Sequence, residues 1–167
     1  GATNCVGCQV SFTYIGARHE AVCTTLSAGP DGVTQVISAN VTSQLAMVEC
    51  TGVHVSERDF TIETLAREEA RRPFDLSTGP LLRARLLVLN SDTHALLFTM
   101  HHIVSDGWSL GVLFRDLTTL YAAFSSGKPS PLPPLPIQYA DFAVWQRESL
   151  RAAALRRQLD YWNAHLA

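Results

Sequence analysis

The stretch from Leu82 to Phe124 constrains the fold more than any other part of the chain. Two apolar runs, Leu82 to Leu89 and His94 to Met100, are parted by the turn-forming link Asn90-Ser91-Asp92. That spacing predicts an antiparallel hairpin of buried strands. A second pattern follows at once: Leu110, Leu113, Phe114, Leu117, Leu120, Tyr121 and Phe124 recur at gaps of three and four. They define one face of a helix, and Gly127 and Pro129 close it. The residues between strand and helix therefore sit at a corner held from both sides.

Elsewhere the patterning is plainer. Val33 to Ile37 reads as a strand after the turn signal around Pro30. From the N-cap candidate Asp59, Ile62, Leu65, Ala66 and Ala70 mark a helix ended by Pro73, with Glu63, Arg67, Glu68, Glu69 and Arg71 assigned to its solvated face. Residues 1–16 carry three glycines and no clear period, and are expected to be irregular. Residues 127–136 are proline-rich and predict an extended connector. Beyond it, Phe142, Trp145, Leu155, Leu159, Trp162 and Leu166 imply one or two amphipathic helices, their aromatics read as packing.

Composition narrows the partners. Thirteen Lys+Arg against fifteen Asp+Glu give a net charge of −2, without the basic excess that phosphate neutralisation requires, so nucleic acid is not expected. No run approaches the roughly 18 apolar residues of a membrane span, and a cytoplasmic location is the expectation. Cys5 and Cys8 have a metal-knuckle gap, but Cys23 and Cys50 stand far apart. Reduced thiols and no metal are expected.

The chemistry-bearing residues lie at the corner, in Met100-His101-His102-Ile103-Val104-Ser105-Asp106-Gly107-Trp108-Ser109. Successive strand side chains point to opposite faces, so His101 and His102 are not expected to address one ligand. One imidazole would face a cleft and the other pack behind it. Asp106 could fix a tautomer or the loop itself. Gly107 permits a positive φ and close approach of a ligand.

This run resembles the MHHxxSDGWS form of the HHxxxDG motif of nonribosomal peptide synthetase condensation domains. Two further motifs of that family have likenesses in the expected order. Arg18-His19-Glu20, followed by Thr24, is similar to RHExLRTxF, although Cys23 stands at its second arginine and Leu26 at its phenylalanine. Tyr139-Ala140-Asp141-Phe142-Ala143-Val144-Trp145 is similar to YxDFAVW. The resemblance covers residues 17–167 and implies an α+β fold, a two-layer sheet-and-helix sandwich of the chloramphenicol acetyltransferase-like type. It also implies that the chain is an N-terminal lobe without its C-terminal companion, with residues 1–16 outside the family.

The resemblance implies an activity as well: an amine on one carrier protein attacks an acyl or peptidyl thioester on another, forming an amide. His102 would be the proton acceptor, with His101, Asp106, Gly107 and Arg18 as support. In particular, Asp106 would be paired with Arg18. Gly107 would give room for the thioester or shape a turn, and Ser109 would cap the following helix. No intrinsic cofactor is implied, because the substrates ride on the 4'-phosphopantetheine of carrier proteins. Those carriers and the second lobe are the implied partners. Two alternatives stay open: a hydroxyl acceptor, and a non-catalytic fragment or interaction module.

Overall fold

Strand β4 (Leu82–Val88) and strand β5 (His94–Met100) pair antiparallel, with Leu82 opposite Met100 and Val88 opposite His94. In the computed structural model the link between them is closed by Asn90, whose Oδ1 accepts the backbone N–H groups of Asp92 and Thr93 at 2.8 and 2.7 Å. An asparagine here satisfies two turn donors from one side chain. The structure describes residues 2–30, 32–38, 45–150 and 153–166, in two compact units, residues 1–134 and 135–167. In the first, β1 (Thr24–Gly29) and β2 (Gly32–Ile37) form a separate hairpin. Strand β3 (Leu45–Glu49), which the sequence reading did not identify, lies parallel to β4 and completes the sheet order β3-β4-β5.

Alternation along β4 divides the core. Leu82, Ala84 and Leu86 point to one face, where Phe12, Val22 and Leu45 join them. Leu96, Phe98 and Met100 of β5 also pack there, against Ile15, Leu113, Leu117 and Leu120. Leu87 points to the other face and meets Cys50 and Leu89, with Ile62, Leu65 and Leu97 packed around them. Full burial of each such leucine contributes about 1.5–3 kcal/mol. The α+β class follows, with α1 (Ala2–Arg18) and α3 (Gly107–Ser125) on one face of the sheet and α2 (Arg58–Arg71) on the other.

Helix α1 corrects the expectation of an irregular residues 1–16. Cys5, Cys8, Phe12 and Ile15 recur at helical spacing on its inner face, but small buried residues interleave them and blur the period. Gly7 is the clearest case. A Cβ at that position would lie 2.5 Å from Ser125 Oγ of α3, so glycine lets the two helices close together.

The stop signals work as their chemistry requires. Arg72, before Pro73, is already extended with ψ 123° and ends α2. Gly127 takes φ +66° after α3, and Lys128 donates its N–H to the Ala123 carbonyl at 2.9 Å. One assignment on α2 is overturned. Glu69 is buried rather than solvated, with its side chain only 1% exposed. It falls three and four positions after Ala66 and Leu65 and seven after Ile62, on the inward stripe.

The second unit contains α4 (Tyr139–Ser149) and α5 (Ala153–Leu166). Its aromatics do not form a core: Trp145 is 61% and Trp162 is 56% exposed. The i,i+3 spacing instead lines up Tyr139, Phe142 and Trp145 on one helix face, with ring centroids 5.9 and 5.6 Å apart.

Candidate active site

Strand β5 ends at Met100, but its ladder extends one residue further, because His101 donates its N–H to the Leu81 carbonyl at 3.0 Å. Alternation therefore still governs His101, which falls on the α2 face of the sheet. Its ring meets the edge of Phe74, centroids 5.7 Å apart at 80°. Its Nδ1 accepts the Ile103 N–H at 3.1 Å. With Nδ1 used as an acceptor, the neutral ring carries its proton on Nε2.

Val104 donates its N–H to the His101 carbonyl at 3.1 Å, closing a turn with His102 and Ile103 as its central residues. Both are exposed. His102 thus stands on a turn whose base is anchored through His101, with open space around it.

Asp106 occupies the N-cap of α3. Its carboxylate accepts the Ser109 N–H at 2.7 Å, and Ser109 Oγ accepts the Asp106 N–H at 2.7 Å. This reciprocal capping box satisfies two orphan donors of the helix. Hydrogen bonds from the Ser109 backbone, then its hydroxyl, hold the Asp106 carboxyl below the usual carboxylate range, and the nearby His102 adds to the effect. Ser109 is accordingly the third helical residue and not the cap. Gly107 opens α3 with nothing within 4 Å of where a Cβ would lie, and positive φ is confined, among the described glycines, to other positions.

The expected Asp106–Arg18 pair is replaced by another. Arg18 Nε donates to Asp116 Oδ2 at 3.1 Å, and Arg18 Nη1 reaches the Pro133 carbonyl at 2.6 Å. Asp116 lies on the inward stripe of α3, its side chain 2% exposed. Burial works to raise its pKa, but hydrogen bonds from Arg18 and Arg115 outweigh burial and hold it below the ordinary value. His19 Nε2 is 3.2 Å from the same Oδ2. Burial lowers the His19 pKa, and Asp116 only partly opposes the shift. A neutral His19 beside an ionised carboxylate must donate from Nε2.

Sequence reasoning missed Asp116 and Glu69, although both carried the same signal: an acid at a helical interval within an apolar stripe. Among the described residues no cluster of three or more His, Cys, Asp or Glu is arranged to hold a metal ion. Cys5 Sγ lies 3.4 Å from His94 Nε2, beside a cavity of about 220 Å³ lined by Cys8, His94 and Leu117. That cavity is at the opposite end of β5 from His102. No described helix is long and apolar enough to cross a membrane.

The corner thus presents one exposed histidine, backed by a second and packed histidine, between a strand and a helix of an α+β fold. The chain matches the Condensation domain family over residues 8–167 and belongs to it. The match begins inside α1. Chondramide synthase cmdD of Chondromyces crocatus is 41% identical over 159 residues, 95% of this chain and 4% of that protein. Phosphinothricin tripeptide synthetase PhsC of Streptomyces viridochromogenes is 44% identical over 149 residues, 89% of this chain and 14% of that one. The chain thus spans a small part of these relatives' length. Among solved structures, the SgcC5 protein of Streptomyces globisporus superimposes with a TM-score of 0.80 at 30% identity, over 96% of this chain and 36% of that one.

Proposed function

We propose that this chain forms amide bonds in nonribosomal peptide synthesis, joining a carrier-bound amine to a carrier-bound acyl or peptidyl thioester. The observation that supports it most directly is the division of labour in the histidine pair: His101 is packed and hydrogen-bonded, and His102 is exposed on the turn it anchors. The amine nitrogen bonds to the thioester carbonyl carbon, the C–S bond breaks, and the amine's proton passes to His102 and on to the departing thiolate. An α-amine of pKa about 7.7–8.0 is about one-tenth neutral at pH 7, so a base is needed chiefly during attack. An imidazole, with one acceptor and one donor nitrogen, can take that proton and pass it on. Orientation by the two 4'-phosphopantetheine arms of the carriers supplies the rest.

The test is single-turnover amide formation by the full protein carrying this chain, with loaded carriers. His102→Ala is expected to slow it about 10²–10⁴-fold. An unchanged rate would sink the assignment of His102. The SgcC5 structure holds (R)-(−)-1-(2-naphthyl)-1,2-ethanediol, which favours a second reading with a hydroxyl acceptor. Offering amine and diol acceptors in the same assay separates the two.

A further inference from the structure

The His101 ring ends a stack that begins at α2, on the same side of the sheet, in a group the proposed chemistry does not use. Buried Glu69 of α2 accepts Arg83 Nε at 2.6 Å and Arg72 Nη1 at 3.1 Å. The other arms of Arg83 are committed as well. Nη1 donates to the Pro73 carbonyl at 2.9 Å, and Nη2 donates to the carbonyls of Glu69 and Arg72 at 3.2 and 2.9 Å. A guanidinium bonded at all three nitrogens has a fixed plane. Phe74 lies on that plane, with Arg83 Cζ 3.8 Å from its ring centroid. The Phe74 ring in turn meets the His101 imidazole edge to face.

Register explains why these residues meet. Arg83 on β4 lies opposite Thr99 on β5, and alternation puts Thr99 and His101 on one face. The stack thus runs along one side of the sheet from α2 to the turn that carries His102. It joins the sheet to the loop of residues 72–80, which contains Phe74.

We infer that Arg83 and Phe74 are positioning residues: they fix the His101 ring, and through its bond to the Ile103 N–H they fix the direction of His102. The inference rests on the reading of His102 given above. A stack that merely held the loop to the sheet would affect unfolding, but not turnover at saturating substrate. The planar cation and the ring are each necessary, since an ammonium cannot replace a guanidinium that bonds at three nitrogens and stacks through its face.

The experiment compares Phe74→Leu, Phe74→Tyr and Arg83→Lys in the full protein with loaded carriers. Phe74 is half-buried, so its leucine variant is expected to fold even if Arg83→Lys does not. Two quantities are read: diethyl pyrocarbonate labelling of His101 and of His102, resolved by mass spectrometry, and kcat and KM for amide formation. Phe74→Leu and Arg83→Lys are expected to raise His101 labelling several-fold and lower kcat about 10–100-fold with KM unchanged, the scale of a small misplacement of reacting groups. Phe74→Tyr, which keeps the ring, is expected to restore both. Unchanged His101 labelling in Phe74→Leu overturns the stack, and raised labelling with unchanged kcat overturns its positioning role. If the unmodified protein formed no amide at all, the functional reading would fail by itself, and labelling would still decide whether the stack holds His101.

Discussion

Two aspartates ten residues apart on the same helix do opposite work. Asp106 belongs to the recognisable motif, yet it is exposed and serves as the cap of α3. Asp116 belongs to no recognised motif, yet it is buried and collects Arg18, His19 and Arg115. The difference teaches that prominence in a sequence motif and electrostatic weight in the fold are separate properties. A cap can be exchanged for another short polar side chain, whereas a buried carboxylate with a buried cation cannot lose its partner without leaving a charge uncompensated.

The comparison can be broken most sharply at Asp116. Asp116→Ala is expected to cost about 3–5 kcal/mol of unfolding free energy, read by urea denaturation, and a loss under about 1 kcal/mol would show that the cluster is not holding the fold. Acid is the next lever. His19 is depressed in the folded state, so the unfolded chain binds its proton first and stability falls as pH drops below about 6.5. Glu69 and Asp116 are also depressed, despite burial opposing the shift. Their contribution is complete above about pH 4.5 and fades as pH falls toward their folded pKa values. A melting temperature that declines in these two stages is expected, and a flat profile from pH 7 to 5 would remove His19 from the account.

At Asp106 the expected effect is smaller. Asp106→Ala should lose less than about half of what Asp116→Ala loses, and Asp106→Asn should be near wild type, because asparagine caps equally well. Equal losses at the two aspartates would erase the distinction. Gly107→Ala is expected to change stability by no more than about 0.5 kcal/mol, since the space beside it is open. A folded Gly107→Ala protein that lost amide formation would assign that open space to substrate.

Much of this architecture was readable because it is local. The β4–β5 hairpin follows from Asn90 between two apolar runs, and the end of α3 follows from Gly127 and Pro129. The motif residues were legible too, but their contacts were not. Arg18 and Asp106 match positions of known motifs, whereas the carboxylate that Arg18 meets is set by how α1 crosses α3, and Gly7 against Ser125 permits that crossing. Helix α1 itself was obscured for the same reason: small residues that allow close packing carry little hydrophobic signal. A charge on a helix is usually solvated, so the sequence alone places Glu69 in water. Its burial depends on Arg83, fourteen residues later and across a strand boundary.

By itself, the chain's order of residues determined the β4–β5 hairpin, the ends of α2 and α3, and that two histidines would sit at a strand-to-helix corner. Those outcomes depend on periodicity, turn chemistry and caps, all of which act over a few neighbouring residues. Tertiary structure alone decided which acid meets which base, that His101 is wedged behind Phe74, and that His102 faces open space. Ion pairs and ring stacks need atoms within a few ångströms, and only packing brings distant segments that close.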